Sequence, residues 1–349
     1  MVADWIEPGG LTEESEVAGW IGSGGLTEES EVAQARGRWS VGGRGWDRVI
    51  CESHNYMSNN LKISSPWSQF AIFLVLSGGA LILALVVVSL LPGVHPGVVP
   101  SNPDTLKLMQ TVSSIILFGL PALVFARQTF YDHRLANLGF RPAVKNSYYL
   151  LAIVLLFCSF PLEGWLGMIN QRAQLPSWMV TSEKEINKQI MAILEVHRPI
   201  DLYINLVVVA VLPAIFEELC FRGVLQRILI NIFKNPWAGI VVTSFLFSFI
   251  HMEFSGFLPR MFLGILLGAS YWYSGSLWTN ILAHCCFNGV QVVAATWYPK
   301  TVTENPSIPL YWALISLVLV VGLLAYMRKR STITYAQVYP AGRADGFPG

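Results

Sequence analysis

Phe216-Glu217-Glu218-Leu219-Cys220-Phe221-Arg222-Gly223 puts three ionisable side chains into a stretch that is almost wholly apolar from Leu202 and continues so through Val224, Leu225 and Ile228. A charge at the centre of a bilayer costs about 2.5–3.5 kcal/mol on insertion scales, so two carboxylates and a guanidinium here need partners or a task. Glu218 and Arg222 are four residues apart, the spacing that pairs them on one helix face. Glu217 is turned by about 100° from Glu218 and has no such local partner. It is the carboxylate left free for chemistry.

The surrounding composition supports the membrane setting. Of 349 residues, 53% are hydrophobic and 13% charged, with a mean hydropathy of +0.50, against roughly 25% charged for a soluble domain. The fold expected is all-α, a polytopic bundle of about eight transmembrane helices. Apolar windows fall at 67–91, 106–126, 148–169, 202–222, 237–252, 257–273, 277–296 and 310–327, the fifth and sixth short and joined by a tight turn at 253–256. Pro121 and Pro161 inside two of them predict kinks. A net charge of +1 and the lack of a basic cluster interleaved with aromatics exclude nucleic acid as a partner. The five cysteines form no metal-binding spacing, and four of them read as small buried hydrophobes within spans.

Arg127, Arg134, Arg141 and Lys145 in one connection, Arg227 and Lys234 in another, and Arg328, Lys329 and Arg330 after the last window set the orientation. An even number of spans with these groups on one side places both termini in the cytoplasm, in a plasma or inner membrane. The 171–201 connection mixes charges of both signs. Its Ile186, Ile190, Ile193 and Leu194 read equally as an amphipathic helix on the membrane surface, as a cap over a site, or as a solvated linker. Glu163 and Arg260 are expected near the interface, and Trp165, Trp272, Trp278, Trp297 and Trp312 as an aromatic belt.

Two further windows carry ionisable groups. Phe247 and His251 close the fifth, and His284 and Asn288 occupy the seventh, each pair four residues apart and so on one helix face. Taken alone, His251 reads equally as an interfacial residue, and His284 with Asn288 as a helix-to-helix hydrogen-bonding pair. Together, a free glutamate, two neutral histidines and an amide on three helices are the ingredients for activating water against a carbonyl. Glutamate or histidine takes the proton, and imidazole and amide N–H groups donate to the developing oxyanion.

In these residues the chain resembles the CPBP intramembrane proteases, which include the type II CAAX prenyl endopeptidases and bacteriocin-processing or immunity proteins. The matching motifs are EExxxR at Glu217, Glu218 and Arg222, FxxxH at Phe247 and His251, and HxxxN at His284 and Asn288. The linking runs Gly264-Ile265-Leu266-Leu267-Gly268 and Ser274-Gly275-Ser276-Leu277-Trp278 match as well. The resemblance covers about residues 202–293. It implies that Glu217 is general base on a water also held by His251, that His284 and Asn288 stabilise the oxyanion, and that Glu218, Arg222 and Phe247 support them. The implied function is hydrolysis of a peptide bond in a membrane-associated protein or peptide. The favoured mechanism needs no cofactor; the alternative is a divalent metal such as zinc on Glu217, His251 and His284. Rival readings are a non-catalytic membrane protein for bacteriocin self-immunity or regulator sequestration and, more remotely, an ion or proton transporter relaying through Glu217.

The chain accordingly divides into an extension (1–56), N-terminal transmembrane helices with the amphipathic connection (57–200), a catalytic core (201–298), and a last transmembrane helix with a cytoplasmic tail (299–349). Within the extension, GGLTEESEVA at 9–18 recurs word for word at 24–33, too few copies to bury a core. The expectation is that translation begins at Met57; a disordered cytosolic tail is the other reading. N-terminal sequencing of the native protein is expected to start at Met57, and a peptide from within residues 2–55 overturns this.

Overall fold

The computed structural model describes residues 61–94, 100, 102–299 and 307–333. The repeat-containing segment 1–56 lies outside them. Among the described residues the structure is helical, with no strand beyond one isolated bridge between Leu61 and Phe130. The protein is an all-α, multi-pass integral membrane bundle. Every one of the eight apolar windows is a helix: α1 Pro66–Ser89, α2 Pro103–Thr129, α3 Ser147–Asn170, α5 Pro199–Phe233, α6 Pro236–Phe249, α7 Phe257–Ser274, α8 Leu277–Trp297 and α9 Leu310–Arg330. The amphipathic connection supplies α4, Ser177–Leu194.

Six helices among the described residues are long and apolar enough to cross a membrane: α1, α2, α3, α5, α7 with the turn before it, and α9. The other two windows differ from the expectation for separate reasons. α6 has only 14 residues, a rise of about 21 Å against a hydrocarbon core of about 30 Å, so it is too short to span by itself. α8 carries Thr279, Asn280, His284 and Asn288 along its length and is less apolar. α5 also differs, running to Phe233 rather than stopping near Arg222. Pairing neutralises that arginine, and the helix passes through it.

Local chemistry explains the ends. Ser65, Asn102 and Asn235 accept backbone N–H bonds at the starts of α1, α2 and α6, each just before a proline whose missing N–H costs nothing there. At the start of α5 the Asp201 carboxylate accepts the backbone N–H groups of Arg198 and His197 at 2.8 and 3.1 Å and pairs with the Arg198 guanidinium. Lys234 at φ 53° ends α5, and Gly275 at φ 65° ends α7.

Prolines within the spans are absorbed in two ways. Wide π-helical turns at Ile115–Gly119 and Leu206–Val211 precede Pro121 and Pro213. At Pro161 the Ser316 hydroxyl of α9 enters the α3 ladder, accepting from the Leu162 N–H at 3.3 Å and donating to the Cys158 carbonyl at 2.6 Å. Those two backbone groups are the i, i+4 partners the proline has pushed apart.

Two apolar clusters build the bundle. One joins α1, α2 and α5 through Phe73, Phe125, Phe221 and Ile228; the other joins α3 and α9 through Tyr148, Leu155, Val320 and Met327. α7 and α8 contribute to both. Gly264 and Gly268 let α7 approach closely: a Cβ on Gly264 would stand 2.9 Å from the Ser244 Cβ of α6, and one on Gly268 2.8 Å from the Gln226 side-chain oxygen of α5. The two ends of the bundle differ. At one, Arg141 donates to the Gly275 carbonyl at 2.7 Å and Ser331 to the Tyr273 carbonyl at 2.8 Å, gathering the basic α2–α3 connection and the basic end of α9.

At the other end α4 behaves as a cap, one of the three readings its sequence left open. Leu194 and Ile190 pack with Leu202, Leu206 and Val292. Trp178 meets Phe254 edge to face, and Ser255 donates to Glu183, so α4 holds the turn between α6 and α7. Two residues expected near the interface are turned toward protein partners. Glu163 is buried, accepting from Ser159 at 2.5 Å, because α3 turns that face toward its neighbours. Arg260 is half-buried against Glu253, bonding its carboxylate and its carbonyl within the turn. Ser316→Ala leaves the Leu162 N–H and Cys158 carbonyl unbridged; it is expected to cost about 1–3 kcal/mol, read as a lowered melting temperature in detergent, and an unchanged one overturns the bridging role.

Candidate active site

The polar groups of α5, α6 and α8 meet between the two apolar clusters. Glu218 and Arg222 are fully buried and paired, Nη1 to Oε1 at 2.8 Å, as the four-residue spacing predicts. A second guanidinium nitrogen donates to the Gly264 carbonyl of α7 at 3.3 Å, and the Phe247 ring lies 4.7 Å from the guanidinium carbon. His284 of α8 brings Nδ1 to the same Glu218 oxygen at 2.9 Å. A carboxylate already paired with arginine is an acceptor only, so Nδ1 carries the proton.

Glu217 points elsewhere, as its rotation predicts. Its two oxygens lie 3.9 Å from Nε2 of His251 and 3.9 Å from Nε2 of His284. Both gaps exceed a direct hydrogen bond. His251 sits just past the end of α6, where Met252 adopts φ 56°. Its Nδ1 lies 2.7 Å from the Phe247 carbonyl; a carbonyl only accepts, so this nitrogen also holds the proton and Nε2 faces Glu217 with its lone pair. Phe247 packs against both imidazoles, with ring centroids 4.9 Å from His251 and 6.2 Å from His284. The His251 side chain is 26% exposed and that of Glu217 10%, so the site opens on the His251 side.

The structure therefore brings Glu217, Glu218, Arg222, Phe247, His251 and His284 together. Asn288 lies one turn beyond His284 on α8, half-buried, and its amide hydrogen-bonds to none of them. Among the described residues no three His, Cys, Asp or Glu side chains form a group that could hold a metal ion. One buried member was not singled out from the sequence. Asn280, a turn before His284, donates to Glu218 Oε2 at 3.1 Å and to the Leu267 carbonyl at 2.6 Å. The spacing Asn280, His284, Asn288 is the signal that was there to find.

Residues 199–290 match the family model described as type II CAAX prenyl endopeptidase, Rce1-like. Over these residues the chain is similar to the Rce1-like endopeptidases. No curated protein and no solved structure matches it. The matched region starts at the first residue of α5 and ends within α8, so it contains every side chain of the site, while α1–α4 and α9 lie outside the match. Its limits agree with the 202–293 read from the motifs, and the CPBP resemblance holds.

Within the matched region the Glu218–Arg222 pair is out of reach of water, so removing one partner strands the other. Arg222→Ala is expected to destabilise the protein by about 3–5 kcal/mol, with Arg222→Lys recovering only part, because an ammonium cannot reach the Gly264 carbonyl and lie over Phe247 in one geometry. Thermal unfolding in detergent measures both, and a neutral Arg222→Ala overturns this account of the pair.

Proposed function

We propose that the protein is an intramembrane endopeptidase that hydrolyses a peptide bond of a membrane-associated protein or peptide, with Glu217 as the general base. The observation that carries the reading is the placement of one carboxylate 3.9 Å from two imidazole Nε2 atoms, at the end of the short α6 within a bundle of apolar helices. Gaps of that size suit one water shared among three groups. Glu217 takes one proton of that water while the lone pair of His251 Nε2 accepts the other hydrogen, and the oxygen attacks the carbonyl carbon. The proton on Glu217 then passes to the amide nitrogen as the carbon–nitrogen bond breaks, leaving an acid and an amine.

The oxyanion formed on the way needs donors. Asn288, whose amide has no hydrogen-bond partner among the described residues, supplies one. His284 supplies the other from Nε2 once its resting Nδ1–H ring has taken up a second proton, a charge the Glu218 carboxylate faces across the Nδ1 bond. Glu218 and Arg222 act behind the site, orienting His284 and the helix that bears Glu217. A zinc ion on Glu217, His251 and His284 would draw on the same residues, so the test has to separate the two. The basic groups gathered at one end of the bundle support placing both termini at the cytoplasmic face.

Purified protein in detergent is expected to cleave members of a fluorogenic peptide library, with Glu217→Gln about 10²- to 10⁴-fold slower and wild-type activity unaffected by a chelator. Loss of wild-type activity with the chelator transfers the mechanism to a metal. Wild type and Glu217→Gln equally inert, with both complementing a deletion strain, replaces catalysis by the immunity or sequestration role.

A further inference from the structure

Asn280 is among the most completely enclosed polar side chains of the site, with no exposed surface. Both groups that its Nδ2 meets, Glu218 Oε2 at 3.1 Å and the Leu267 carbonyl of α7 at 2.6 Å, accept and cannot donate. The amide is therefore fixed the right way round, and each of its two protons is committed. Its Oδ1 has no hydrogen-bond partner among the described residues. An amide held only to tie helices together would use both of its ends; here only the donor end is used, and it is aimed at a carboxylate.

The consequence lies in how Glu218 is divided. Oε1 takes the Arg222 guanidinium at 2.8 Å and His284 Nδ1 at 2.9 Å, while Oε2 takes Asn280. Two donors on one oxygen leave the carboxylate free to swing about its own bond; a third on the other oxygen sets its plane. That plane decides where Nδ1 of His284 points, and so where Nε2 lies relative to Glu217, 3.9 Å away. We propose that Asn280 is a positioning residue, which acts through Glu218 to hold the His284 ring in its Nδ1–H form with Nε2 directed at Glu217. The effect on turnover rests on the proteolytic reading above; the effect on the imidazole does not.

Two measurements separate these. The first is ¹⁵N NMR of histidine-labelled protein in micelles, with the His284 signal assigned against His251→Gln. Substrate-free wild type is expected to show His284 as the Nδ1–H tautomer, and Asn280→Ala a mixture of tautomers, at a melting temperature that keeps the protein folded. Should Asn280→Ala not fold, Asn280→Ser retains one short donor and is expected to show the same loss of a single tautomer. An unchanged His284 signal in either folded variant overturns the proposal.

The second is kinetic. Asn280→Ala is expected to lower kcat roughly 10- to 100-fold with KM within about twofold, as small misplacements of a reacting group do. Adding it to Glu218→Gln is expected to cost little more than Glu218→Gln alone, because both act at one carboxylate. Losses that multiply show a merely structural asparagine and overturn the proposal. If wild type cleaves no peptide, the proteolytic reading falls and the NMR result still decides the role of Asn280.

Discussion

A carboxylate deprived of water must be satisfied by the protein around it, and at Glu218 that demand organises the packing of four helices. α5 supplies the carboxylate and, one turn on, its guanidinium. α7 supplies the Gly264 carbonyl to that guanidinium, α8 supplies His284 and Asn280, and α6 lays the Phe247 ring over the cation. The Glu218 contacts tie α5 to α8, and the Arg222 contacts tie it to α7 and α6. A polar cluster of this kind specifies register in a way that apolar packing alone does not, because a slip of one helical turn would strand a charge.

The same constraint explains why small residues and irregular turns gather around it. The Gly264 and Gly268 carbonyls reach Arg222 and Gln226 at 3.3 and 3.1 Å, and neither glycine carries a Cβ, which would meet Ser244 of α6 at one and Gln226 of α5 at the other. The π-helical stretch Leu219–Gln226 begins immediately after Glu218 and contains Arg222. Such widenings are frequent at functional sites. The α6–α7 turn is held by groups from outside the matched region: the Asn170 amide of α3 donates to the Phe254 carbonyl at 2.6 Å, its oxygen accepts from Leu258 N–H at 2.9 Å, and Glu183 of α4 accepts from Ser255. The segments beyond the family match thus fix the turn that positions His251.

Legibility followed the physics of each signal. Apolar windows are read directly because a bilayer demands length and hydrophobicity, and all eight became helices. Glu217, Glu218, Arg222, His251 and His284 were legible because ionisable groups in such windows are costly and their four-residue spacings are local. Asn280 was passed over because an asparagine in a span has a bland reading as a hydrogen-bonding tie. Only its distance to Glu218, 62 residues away in the chain, distinguishes it. The partners of Glu163 and Arg260 were not legible because the sequence gives depth along a helix but not which face its neighbours cover.

What the sequence determined by itself was the class of fold, the helices, and which of two adjacent glutamates has a local counter-charge. Helical period and the cost of charge in lipid act over a few residues and need no knowledge of the rest. The tertiary structure decided how those faces meet. It brought Glu217 within 3.9 Å of two imidazoles from α6 and α8, committed the Nδ1 proton of each to a different acceptor, and left Asn288 without a hydrogen-bond partner among them. It also ended α6 after 14 residues and set α4 over the turn that follows. These outcomes depend on distances between residues far apart in the chain, set by the packing of whole helices, which no local pattern encodes.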